Sequence, residues 1–103
     1  MKNLKPVSFT NVEIKDNFWS ERLSVNREKT LKANYKHLKK QGRIDAWTWK
    51  KGQPNKPHIF WDSDVAKWIE AVSYHLANKR NKSLEKKVDH VVEIMAEAQL
   101  DNG

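Results

Sequence analysis

The stretch that most constrains this chain runs from Phe60 to Leu76. It opens on Asp62, Ser63 and Asp64, and then places Val65, Trp68, Ile69, Val72 and Leu76 at helical spacing. Apolar residues recurring every three or four positions form one stripe on a helix. Asp62 or Ser63 can accept a hydrogen bond from a free N–H of the first turn. Asp62 and Asp64 also set negative charge at the positive end of the helix dipole. No other stretch is so strongly patterned, so the remaining elements are expected to pack on this helix.

Two further helices follow from the same reasoning. Asp16 or Ser20 caps a first helix from about Asn17 to about Lys39, stopped by Gly42, with Trp19, Leu23, Leu31, Tyr35 and Leu38 as an apolar face. Arg27 and Asn34 interrupt that face, which predicts a peripheral helix. Near residue 78 the central helix ends, with Asn78 as a left-handed cap and Lys79 and Arg80 complementing the dipole. Ser83 then caps a third helix whose stripe is Leu84, Val88, Val91, Val92, Met95 and Ala98. The short connection makes the last two an antiparallel hairpin. Asn102-Gly103 is a turn signal.

Before the helices, residues 5–15 contain Val7, Phe9, Val12 and Ile14 and begin with Pro6, which predicts a strand. Its alternation breaks at Thr10-Asn11, where a turn or bulge is expected. A lone short strand is not stable by itself and must lie against something else. The fold class is therefore mainly α, an N-terminal extended strand followed by three helices. At 103 residues the chain is expected to hold one domain or part of one, with an extended segment over 1–15 and helices over 16–103.

Charge is the next constraint. Lysine and arginine exceed aspartate and glutamate to leave a formal charge of +7, and the pI is near 9.7. Such a surface attracts nucleic acid or anionic membranes. Here the cations are scattered among acids over several elements, whereas a nucleic-acid module gathers them on one face. A small basic nucleic-acid-binding module therefore stands as an alternative that the dispersed lysines oppose. No apolar run approaches the roughly 18 residues of a membrane span. The first residues lack the apolar core of a secretory signal, so a cytoplasmic location is the default expectation. The chain has no cysteine, which removes disulfides, thiolate metal sites and a cysteine nucleophile from within it.

Between the first two helices lies a long connection, residues 42–60, with two glycines, two prolines, Trp47 and Trp49. Structureless loops beyond about 12–15 residues are uncommon in compact domains and often functional. Trp47 and Trp49 either stack on a sugar ring or a base, or plug the loop onto the body of the protein. Together with Trp61, Asp62 and Asp64 they are the candidate substrate-binding residues. No catalytic residue is assigned. Asp62 and Asp64 are two apart, so they do not share a helix face as an acid–base pair would, and capping is their simpler role. Glu70 can pair with Lys67 on the surface. Histidines 37, 58, 75 and 90 lack a metal-binding spacing, and no glycine-rich phosphate loop is present.

Four segments, taken in order, resemble a known family. They are Asp16-Asn17-Phe18-Trp19-Ser20-Glu21-Arg22-Leu23 with Asn26-Arg27-Glu28; Gly42-Arg43-Ile44-Asp45; Asp62-Ser63-Asp64-Val65-Ala66-Lys67-Trp68-Ile69-Glu70-Ala71; and Ala98-Gln99 with Asp101 and Gly103. The chain is similar to the N-terminal part of glycoside hydrolase family 127, the β-L-arabinofuranosidase-like enzymes. Ala66 departs from the family, which more often has tyrosine there. The resemblance implies a single partial domain, the opening part of an (α/α)6 barrel, with the extended N-terminus joining a distant β region. It implies hydrolysis of terminal β-L-arabinofuranosyl residues by a full-length enzyme through a cysteine nucleophile near a zinc ion. Those residues lie later in the family chain, so no cofactor is expected in this one, and a fragment without independent catalysis is. An arabinose-containing glycan is the implied partner of the full-length enzyme. Tryptophans 47, 49 and 61 would then line the approach to its sugar site, or the chain binds carbohydrate without hydrolysing it. Apolar helix faces left exposed imply self-association.

Overall fold

The computed structural model describes residues 3–103. Its helices are α1 (Trp19–Val25), α2 (Leu31–Lys40), α3 (Trp61–Asn78) and α4 (Lys82–Ala98). A π-helical turn, Asn26–Thr30, joins α1 to α2, so residues 19–40 form one continuous helical rod. Single 3-10 turns occupy Phe9–Asn11 and Asp45–Thr48.

The core lies where α2, α3 and α4 meet. Leu31, Ile44, Val65, Trp68, Val72, Leu84 and Val91 are buried, and Tyr35, Leu38, Ile69, Leu76, Val88, Ile94 and Met95 pack around them. The stripe predicted for the central helix is the one that is buried, and α3 touches both neighbours. Trp68 reaches furthest: its ring sits 5.2 Å from that of Tyr35, and its indole N–H donates to the Leu31 carbonyl at 2.9 Å.

The predicted strand at residues 5–15 is not present, and no strand occurs among the described residues; residues 1 and 2 of the extended segment lie outside them. A strand needs a neighbour to satisfy its N–H and C=O groups, and this chain offers no second strand. The segment instead folds a 3-10 turn over Phe9–Asn11, where the alternation breaks. Asn11 N–H donates to Ser8 O at 2.9 Å, and Val12 N–H to Phe9 O at 3.2 Å. Phe9 then meets Tyr74 of α3 edge to face at 5.2 Å.

Helix ends follow local chemistry, with three corrections. At the first helix the N-cap position is Phe18, but Asp16 serves it from two residues outside: its Oδ1 accepts from the N–H groups of Phe18 and Ser20, and Ser20 Oγ accepts from Asp16 N–H. Gly42, with φ 74°, ends α2 as expected. At α4, however, the cap is Asn81 and not Ser83. Asn81 Oδ1 accepts from Ser83 N–H at 3.0 Å and Leu84 N–H at 3.1 Å. Asn78 is not a left-handed cap either, because the chain leaves α3 extended at Lys79, φ −147°, on its way to Asn81. Finally, neither Asp62 nor Ser63 sits at the N-cap of α3. The helix begins one residue earlier, at Trp61, which puts both inside the first turn. There Asp62 Oδ1 accepts from Ser63 N–H at 2.7 Å, and Ser63 Oγ donates to Phe60 O at 2.9 Å. Asp62 and Asp64 keep their favourable place near the positive helix end.

The chain spreads more than its length requires. Its radius of gyration is 17.2 Å, against about 13 Å for a compact domain of this size. The cause is visible along α1, where Trp19, Leu23 and Val25 are exposed. Interruption of this face at Arg27 and Asn34 predicted a peripheral helix throughout; α1 is peripheral, but α2 is not, because Leu31, Tyr35 and Leu38 pack into the core.

Candidate functional site

The candidate site is built from the connection between α2 and α3. After Gly42 turns the chain, Ile44 is buried and anchors the loop in the core. Trp47 and its 3-10 turn pack toward α3 and α4. Trp49 closes the next bend. Its indole N–H donates to Pro54 O at 3.1 Å, while Lys50 and Gln53 hold each other by two hydrogen bonds, Lys50 N–H to Gln53 Oε1 at 2.8 Å and Gln53 N–H to Lys50 O at 3.0 Å. Asn55 takes a left-handed φ of 58° at the tip.

Trp49 and Trp61 come together around one open cavity of about 480 Å³, floored by Gly42, Asp45 and Ala46 and walled by Gln53 and Pro54. Two indoles with amide and carboxylate groups between them suit a sugar, whose ring has apolar faces and a hydroxyl edge. Gly42 is required for its left-handed φ of 74° and not for space, since a Cβ there would meet the Trp61 ring at an ordinary 4.0 Å.

Trp47 does not share this cavity. It borders a smaller one of about 310 Å³ with Trp61, Asp62 and His58, and an apolar groove of about 700 Å³ with Ile69, Met95 and Leu100. Its indole N–H is buried and has no acceptor among the described residues. Such a donor is costly unless paired, and being buried it is not presented to either opening.

Asp64 stands apart from the tryptophans. It pairs with Arg43 and lies 3.8 Å from Lys67. Arg43 is the residue that sequence reasoning left without a role. Its Nε donates to Gln41 Oε1 at 3.0 Å, its Nη1 donates to Asp64, and its guanidinium lies 5.7 Å from the centre of the Trp61 ring. It therefore joins the end of α2 to the start of α3 beside the cavity. The available signal was its place between a helix-stopping glycine and the buried Ile44.

Perturbed titrations lie elsewhere. Burial, and then the positive charge of Arg27, lower the pKa of His75; Glu28 opposes them. The Ser20 N–H holds the Asp16 carboxyl low, and hydrogen bonding from Arg27 does the same for Glu28. No three His, Asp or Glu side chains converge among the described residues, and the chain has no cysteine, so this donor set does not fit a zinc ion.

The chain is mainly helical, with an aromatic, partly polar cavity in its longest connection. The family model described as "Beta-L-arabinofuranosidase, GH127 catalytic domain" matches residues 11–103, and the chain belongs to that glycoside hydrolase family. No curated protein and no solved structure matched the chain. No helix among the described residues is long and apolar enough to cross a membrane.

Proposed function

We propose that this chain contributes the opening helices and part of the sugar approach to a glycoside hydrolase acting on terminal β-L-arabinofuranosyl residues, and that by itself it binds such sugars without cleaving them. The family match over residues 11–103 carries this reading. Support for the binding half comes from the pairing of Trp49 and Trp61 around one cavity. In this reading Trp49 and Trp61 stack on the sugar, and Trp47 borders the neighbouring opening while its turn packs on α3 and α4. Asp62 borders that opening, and Asp64 acts indirectly by holding Arg43 beside Trp61.

The lack of catalysis is an inference from chemistry. Retaining hydrolysis requires a nucleophile together with an acid–base group. No pair of carboxylates faces the cavity from opposite sides, and no thiol is present in the chain. The zinc implied by the family finds no donor set here, so no step is assigned to it.

The test is a titration of the chain with arabinose oligomers, read by tryptophan fluorescence, alongside an assay with an aryl β-L-arabinofuranoside. The expected result is a saturable fluorescence change, lost on Trp49→Ala, with no release of the aryl group. Release by the purified chain would overturn the non-catalytic half. A flat titration in which Trp49→Ala behaves like the parent would overturn the binding half.

A further inference from the structure

The outward face of α4 has a charge order that its own helix does not favour. Lys82 and Lys86 lie in its first half, Asp89 at its middle, and Glu93 and Glu97 in its second half. Steps of three and four residues put these five on one stripe. It lies opposite the positions of Leu84, Val88, Val91 and Met95, which face the core. All five are exposed, as is His90 beside them. None of the six takes part in an ion pair among the described residues.

A helix dipole favours acids at the N-terminus and bases at the C-terminus. This stripe is mostly reversed: cations stand at the positive end and anions at the negative end, and the last turn has no basic residue. An antiparallel neighbour with the same stripe reverses the penalty. It brings lysines to the negative end of α4 and glutamates to the positive end.

We propose that the outward face of α4 pairs antiparallel with the same face of a second copy of this chain. The order of charges is self-complementary about one point between Asp89 and His90. A two-fold axis there sets Lys82 opposite Glu97, Lys86 opposite Glu93 and Asp89 opposite His90, each pair occurring twice, as an isologous contact requires. The parallel arrangement would set lysine against lysine and glutamate against glutamate. Val92, which is 46% exposed, flanks the stripe and adds apolar area on one side. The stripe is about 22 Å long at the helical rise per residue. So small a contact, made mainly of exposed charges, gives a weak, salt-sensitive dimer with a Kd on the order of 10 μM to 1 mM.

Sedimentation equilibrium of the 103-residue chain tests this, at low ionic strength and again at about 0.5 M salt. Two variants sharpen it: Lys82→Glu with Lys86→Glu, which makes the stripe acidic, and Glu93→Lys with Glu97→Lys, which makes it basic. Each brings its charges closer to what the dipole favours, so helix content by circular dichroism should hold or rise. The expected result is a parent dimer that salt dissociates. Each variant alone should dissociate at least about tenfold more readily, and an equimolar mixture of the two should recover parent-like association. A parent that stays monomeric at low salt would overturn the proposal. So would association that neither variant weakens, or a mixture that fails to recover it.

Discussion

The indole N–H of Trp68 donates to the main-chain carbonyl of Leu31 at 2.9 Å, inside the core and across 37 residues of sequence. Leu31 is the first residue after the π-helical turn. The bond ties the central helix to the point where the first helical rod changes its winding, and the same indole packs on Tyr35.

Replacing Trp68 by phenylalanine keeps most of the apolar contact but removes that donor. The Leu31 carbonyl is left with one partner fewer in a buried place, at a cost of about 1–2 kcal/mol. Trp68→Ala adds a cavity and should cost about 3–5 kcal/mol. Urea unfolding followed by circular dichroism measures both; a Trp68→Phe variant as stable as the parent would show that the hydrogen bond adds nothing.

Arg43 and Asp64 link the end of α2 to the start of α3, with both side chains partly exposed. Solvent screening limits such a pair, so a double-mutant cycle with Arg43→Ala and Asp64→Ala should give a coupling of roughly 0.5–1 kcal/mol. Arg43→Ala should also disturb Trp61 fluorescence, because the guanidinium lies near that ring. A coupling indistinguishable from zero would remove Arg43 as the connector.

Asn81 caps α4 through two N–H groups, and Ser83 does not. Asn81→Ala should therefore cost about 1 kcal/mol, while Ser83→Ala should leave the thermal midpoint nearly unchanged. The reverse ranking would return the cap to Ser83.

Stability should fall in two separate acid windows. The folded chain lowers the pKa of His75 from its ordinary 6.5, so it prefers the neutral ring. The unfolded chain then binds the extra proton first, and stability rises with pH in that interval. This contribution is complete above about pH 6.5 and is lost as pH falls through the lowered folded value. Asp16 and Glu28 are also lowered, from 3.8 and 4.5, so their contributions are lost only at more acid pH. His75→Gln should flatten the upper window and leave the lower one. Chemical denaturation across about pH 2–8 reads both windows, and a variant with the parent's profile would count against it.

Much of the helical architecture was legible from periodicity. Val65, Trp68 and Val72 lie on the stripe read from the sequence and are the buried residues of α3. Leu84 and Val91 do the same for α4. Gly42 ended its helix as read. The π turn at 26–30 was not legible, because Asn26 to Thr30 are all polar and give no apolar spacing that could register a change in winding. The N-caps of α3 and α4 lie two or three residues before the positions read: α3 starts after Phe60 with no side-chain cap, and at α4 Asn81 and Ser83 suit the same N–H groups. Of the candidate site, Trp47 and Trp49 were named from their place in the long connection and Trp61 from the family resemblance, but which openings each lines was not legible.

What the sequence determined by itself was which faces are apolar, where glycine and polar residues stop the helices, and which family the chain belongs to. These depend on neighbours within a turn or two, or on the order of short segments. The tertiary structure decided the rest. Residues 5–15 lost their strand for want of a partner, Trp49 came to face Trp61, Trp47 turned toward α4, and Asp64 met Arg43. Each outcome depends on groups far apart in the chain. Only packing around Trp68 and Ile44 brings them within reach of one another.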